Sequence, residues 1–167
     1  MPHPNLGLPP ADIFAGDPPA AARVRHERTR LARLALEATA QLDPTFTKRY
    51  DEINLRLFLR DYDRHLEQVA RALETGQDSF VVQYGEWLVP VYRRRQVPMA
   101  DFALMLLGLR AVAASVLSPV ESAALVQLID RWQVRLKHHA RLPGDHKGNP
   151  IVRFFWKGAG IMDDKVV

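Results

Sequence analysis

The run from Pro98 to Leu117, PMADFALMLLGLRAVAASVL, limits what the rest of the chain can fold into. Pro98 suits the first turn of a helix, where its missing N–H costs nothing. Phe102, Leu104, Met105, Leu106, Leu107, Leu109, Val112, Val116 and Leu117 then fall on every side of that helix. A helix apolar all round belongs in a large core, a membrane or an interface between subunits. A membrane span needs about 20 apolar residues with few charges. Asp101 and Arg110 interrupt this run and Gly108 weakens it, so it reads as a central buried helix and not as a span. A buried Arg110 needs an acid partner; otherwise its stem lies along a groove and its head reaches water.

The other helices are marked by their ends. Asp17 before Pro18-Pro19 predicts a helix from Pro18 to about Gln41. Its inner face is Val24, Leu31, Leu34, Ala35, Ala38 and Leu42, and its outer face carries Arg23, Arg25, Arg28, Arg30 and Arg33. Asp43-Pro44 repeats the start signal, with a break expected near Thr47 and a stop at Gly76. This second helix has an apolar stripe, Leu55, Leu59, Tyr62, Leu66, Val69 and Leu73, beside a polar one, Asn54, Phe58, Asp61 and His65. Such a pair of stripes suits a helix sandwiched between others.

A third helix, Phe80 to about Gln96, is expected to turn Tyr84, Trp87, Leu88 and Val91 inward and to bend at Pro90. Arg93, Arg94 and Arg95 close it, where positive charge suits the dipole and an anion or partner could bind. The short Val97-Pro98 joint predicts that the third helix and the central one meet as a hairpin or a sharp corner, with Trp87 and Phe102 both mostly buried. Ser118-Pro119-Val120-Glu121 is a capping box opening a last helix to about Leu142, with Leu125, Leu128, Ile129, Trp132 and Leu136 inward. The expected fold is all-α, a helical bundle or globin-like arrangement of about five helices over residues 18–142. An N-terminal arm (1–17) precedes it and a C-terminal arm (143–167) follows.

Composition narrows the function classes. The chain has 167 residues, 47% hydrophobic and 25% charged, with a net charge of +4 and no cysteine. The missing cysteines exclude disulfides, thiolate metal sites and Cys nucleophiles, and fit a reducing cytoplasm. No signal peptide is visible at MPHPNLGLPP. The arginine-rich first helix could meet phosphates, but an arginine face alternating with acids is the mark of a solvated surface, which disfavours nucleic acid as partner. No catalytic set converges: Ser115, Ser118 and Ser122 lack a placed histidine, and no pair of Glu-x-x-His motifs occurs. Asp61 and His65 lie one turn apart and could share a hydrogen bond or a metal; an ion pair is the plainer reading. The adjacent His138 and His139 point about 100° apart and cannot chelate together. If a ligand binds, Asp61, His65, Tyr84 and Trp87 beside Pro90 are the candidate cofactor-binding residues. The residues name no cofactor.

Residues 72–112, ALETGQDSFVVQYGEWLVPVYRRRQVPMADFALMLLGLRAV, resemble the helical sensor modules of bacterial stress-response regulators. These are the N-terminal domains of the RsbT co-antagonist type, some of them globin-like. The shared features are the glycine-ended helix at Gly76, the aromatic helix at Tyr84 and Trp87, the turn from Arg95 to Pro98, and the apolar helix with Arg110. A similar pattern occurs in helical caps of cobalamin-binding regulators. The cobalamin motif itself, Asp-x-His-x-x-Gly, is missing, since Asp145-His146 has the wrong spacing. The resemblance implies a small sensing or protein-interaction module in signalling.

The C-terminal arm carries Phe154, Phe155 and Trp156 in a row, too much aromatic area to leave in water. It is expected to dock on the bundle, on a second copy or on a protein partner. Truncation after Leu142 should then lower the melting temperature or change the mass in solution by light scattering. If both stay unchanged, the arm neither clamps the bundle nor joins copies.

Overall fold

Side chains that satisfy exposed helix ends mark where three helices of this chain begin. The Asp17 carboxylate accepts from the Ala20 N–H at 2.9 Å and opens α1, Pro18–His26. Asp51 accepts from the Asn54 N–H at 2.8 Å and opens α4, Glu52–Thr75. Ser118 and Glu121 exchange bonds, Glu121 N–H to Ser118 Oγ at 3.3 Å and Ser118 N–H to Glu121 Oε2 at 2.9 Å. That capping box opens α7, Pro119–Ala140. Between these lie α2, Arg28–Leu42, α3, Phe46–Arg49, α5, Ser79–Arg94, and α6, Met99–Val116. The computed structural model describes residues 16–140, the side chains of 138–140 excepted. The two terminal arms, with Phe154, Phe155 and Trp156, lie outside the described residues.

The chain is an all-α bundle. The first expected helix is divided at Glu27 into α1 and α2, and the second at Tyr50 and Asp51 into α3 and α4. Neither interruption carries a glycine, and Pro44 lies too early to mark the second. α4 ends where expected, at Gly76 in the left-handed conformation (φ 69°). Five helices close a ring around one core: α2 packs on α6, α6 on α7, α7 on α5, α5 on α4 and α4 on α2, with α1 laid along α4. Tyr62, Leu66, Phe102, Met105, Leu106, Ile129 and Trp132 fill the centre.

The α5–α6 joint is a corner that leaves α6 lying between α2 and α7. The corner closes with Val97 N–H on Tyr92 O at 2.8 Å and Gln96 N–H on Arg93 O at 3.0 Å. This is the paired bonding of a Schellman stop, here with Gln96 (φ 59°) where glycine usually sits. The bend brings the Tyr92 and Phe102 rings edge to face at 5.0 Å.

One expectation about α5 is corrected. Trp87 is 54% exposed, while Phe102 is fully buried. The inward face of α5 is Val81, Gly85, Leu88, Val89 and Tyr92. The cause is Gly85: a Cβ there would lie 2.6 Å from Nε1 of the buried Trp132 indole, so only a residue without a side chain can face α7 at this point. With Gly85 inward, Trp87 points out. Arg110, on the outer side of α6, pairs with Asp130 of α7 at 2.9 Å in an exposed position. At the N-terminal end of α6, buried Asp101 accepts from Arg49 Nη2 at 2.9 Å and from the Tyr50 hydroxyl, tying α3 to α6.

α2 and α6 approach most closely at Gly108. A Cβ there would meet Thr39 Oγ1 and come within 2.5 Å of the Ala35 carbonyl oxygen. The backbone of α2 would have to move to admit it. Gly108→Ala is therefore expected to destabilise the protein by about 1–3 kcal/mol in denaturant melts, overpacking outweighing the better helix propensity of alanine. A neutral or stabilising effect would show that α2 and α6 are not in this contact.

Candidate functional site

α4 places Asp61, Tyr62 and His65 on inward positions, and α5 answers with Tyr84 and Tyr92 two turns apart on one ridge. His65 is fully buried. Its Nδ1 lies 3.0 Å from the Tyr84 hydroxyl and its Nε2 lies 3.2 Å from the Tyr92 hydroxyl. Tyr92 also donates to Asp61 Oδ2 at 3.2 Å, and Arg95 Nη1 donates to the same oxygen at 2.5 Å.

The inventory of donors fixes the direction of this chain. The Tyr92 proton is committed to Asp61, so the Tyr92 oxygen accepts from His65 Nε2–H. A neutral imidazole then has its free lone pair on Nδ1, which accepts from Tyr84. The relay runs Tyr84 to His65 to Tyr92 to Asp61, and Arg95 anchors its far end. Burial holds the His65 pKa down at about 3, with the positive charge of Arg95 acting in the same direction. Burial likewise raises the Tyr84 and Tyr92 hydroxyls above their ordinary value, so the tyrosines stay protonated donors. Arg95 lies over the Phe58 ring at 5.4 Å and the Tyr92 ring at 5.2 Å. Its Nε and Nη2 have no hydrogen-bond partner and face these rings instead.

Tyr62, one position from Asp61, serves a separate knot. Its hydroxyl lies 2.8 Å from Thr39 Oγ1 and donates to the Met105 carbonyl at 2.7 Å, joining α4 to α2 and α6.

Of the residues expected to form a site, the structure brings Asp61, His65 and Tyr84 into one network. Asp61 and His65 do not bond each other; the Tyr92 hydroxyl bridges them. Trp87 stands outside the network but stacks on Tyr84, with ring centroids 5.7 Å apart and planes 26° apart. Arg95 leaves the basic triplet to reach Asp61, Arg94 is exposed and Arg93 is half-buried. Tyr92 is the member that sequence reading missed, although Tyr84, Leu88 and Tyr92 follow one i, i+4, i+8 ridge. The space beside His65 is filled by the rings of Tyr62, Phe102 and Trp132, at 5.3 to 6.0 Å between centroids. Both imidazole nitrogens are engaged, so His65 is not free to ligate a cofactor in this conformation. No group of three or more His, Asp or Glu with metal-site geometry occurs among the described residues.

Two arginines of the basic face, Arg25 and Arg28, are met by acids from α4. Arg25 forks onto Glu74 at 2.9 and 3.2 Å, and Arg28 reaches Asp63 at 2.7 Å and Glu67 at 3.1 Å. A groove of about 610 Å³ opens outward between α2 and α4, lined by His26, Arg30, Arg33, Leu59 and Asp63 among others.

Comparison with protein-family models, with curated proteins and with solved structures finds no match.

A histidine held neutral by burial makes stability depend on pH. The unfolded chain binds a proton at His65 near pH 6.5 and the folded chain does not until about 3. Its stabilising share is complete above pH 6.5 and is lost as the pH falls from 6.5 towards 3, at about 1.4 kcal/mol per pH unit. Between pH 6.5 and 5 carboxylates add little. The unfolding free energy is expected to fall across this range, and the slope should be shallower by about one proton in His65→Gln. Equal slopes would mean that His65 titrates normally in the folded state.

Proposed function

We propose that this protein is a small helical sensor or protein-interaction module of bacterial signalling, which reads its partner through the outer face of α5. The observation that supports this most is the pairing of exposed Trp87 with Tyr84. Tyr84 is half-buried and begins the relay that ends at Arg95. A partner covering Trp87 presses on Tyr84, and Tyr84 cannot shift without giving up its bond to His65. Surface contact is thereby coupled to the core, the physical requirement for sensing. Exposed tryptophan is also the residue chemistry of interface hot spots. The stretch resembling the stress-regulator modules, residues 72–112, contains Tyr84, Trp87 and Arg95. Nucleic acid is the weaker reading, because Arg25 and Arg28 already face the acids of α4.

A photo-crosslinking residue at Gln83, one turn from Trp87, should capture a protein partner in cells. That partner, identified and purified, is expected to bind Trp87→Ala at least about 30-fold more weakly than the parent, with the helical circular dichroism unchanged. Equal binding by both chains would contradict the α5 surface, and capture of nucleic acid in place of protein would contradict the proposal as a whole.

A further inference from the structure

α6 is apolar on every side, yet only Met99, Asp101, Phe102, Met105, Leu106, Gly108, Leu109 and Ala113 of its 18 residues are buried. One face is left over. It carries Ala100, Leu104, Leu107, Ala111 and Ala114, with Leu107 41% exposed and Leu104 half-buried. The spacing along it alternates four and three residues, the spacing of a helix–helix seam. α2 bounds the strip on one side, where Gly108 meets Ala35 and Thr39. α7 bounds it on the other, where Gln133 Nε2 donates to the Ala103 carbonyl at 3.3 Å. The helix is long and apolar enough to cross a membrane by composition alone, but its opposite face is locked into the bundle core.

The residues on the strip say what covers it. Ala100, Leu104, Leu107 and Ala111 read the same in both directions, in residue type and in spacing. A two-fold contact requires this kind of self-complementarity, since residue i meets j and j meets i. The strip itself bears no charge. The nearest one, Arg110, is already held by Asp130, so nothing there selects a partner of opposite sign. Alanines at both ends allow helix axes to approach to about 8 Å.

We propose that this face joins two copies of the chain, with the α6 helices antiparallel about a two-fold axis midway between Leu104 and Leu107. Ala100 then meets Ala111 of the partner subunit, and Leu104 meets Leu107 of the partner subunit. The paired stretch, Ala100 to Ala111, is about 17 Å long. So short a seam is small beside a standard interface, and a weak dimer of about micromolar affinity is expected. The pairing is independent of the α5 surface, which lies on another side of the ring.

The test uses the full chain in sedimentation velocity. At about 100 μM, well above a micromolar dissociation constant, the mass should be twice 19.0 kDa. Leu107→Glu should be monomeric with unchanged circular dichroism, while Ile53→Glu, an apolar position 70% exposed on α4, should remain dimeric. The absence of cysteine makes crosslinking clean. The double variant Ala100→Cys, Ala111→Cys should form covalent dimers on mild oxidation. Ala114→Cys should not, because antiparallel copies hold those positions roughly 25 Å apart. A monomeric full chain, a dimeric Leu107→Glu, or ready crosslinking of Ala114→Cys would each overturn the proposal.

Discussion

The structure depends on keeping one imidazole neutral inside an aromatic core. His65 has no contact with water, and each of its nitrogens has one tyrosine hydroxyl. A buried polar atom without a partner costs about 1–3 kcal/mol, so α4 and α5 have little freedom to slide past one another. Tyr84 and Tyr92 must both reach the same ring from two turns of one helix. The Arg95–Asp61 pair then fixes the end of α5, next to the corner that sends the chain into α6. Buried networks of this kind specify one arrangement more than they add stability.

The surrounding packing follows from that arrangement. Trp132 of α7 and Phe102 of α6 lie against His65 with ring centroids 5.6 and 5.3 Å away. Gly85 lets the indole in, and by turning inward it sends Trp87 to the surface. The same residue therefore explains how the core closes and why an aromatic ring stays outside it. Tyr84 belongs to both regions, with its ring against Trp87 and its hydroxyl on His65. This double membership joins the proposed partner surface to the interior by one side chain. The outer face of α6 is a separate matter, governed by the excess of apolar surface that the ring of helices leaves uncovered.

Signals written locally were legible in the sequence. Asp17, Gly76, Pro98 and the Ser118–Glu121 box each mark a helix end by chemistry confined to a few residues. The inward set of α7 followed from simple periodicity. A break was expected near Thr47 and falls at Tyr50 and Asp51, where the Asp51 cap restarts the helix, whereas the break at Glu27 has neither a helix breaker nor a side-chain cap to announce it. The direction of Trp87 was misread: size and hydrophobicity favour burial, and only the indole arriving from α7 makes Gly85 the inward residue. Asp61 and His65 stood out as a polar stripe on a core helix, but Tyr92 looked like one more apolar position. The corner after Arg95 was expected from Pro98, whereas its left-handed residue, Gln96, carries no glycine to announce it. The C-terminal arm, whose aromatics drew attention in the sequence, lies beyond the described residues.

The central claim, a neutral His65 with its proton on Nε2, is open to direct measurement by nitrogen-15 NMR of the imidazole. The account predicts one protonated nitrogen, Nε2, coupled to the Tyr92 side, an unprotonated Nδ1, and no titration of this ring between pH 7.5 and about 5, far above its folded-state pKa of about 3. A ring that takes up a second proton near pH 6.5, or that carries its proton on Nδ1, would contradict it.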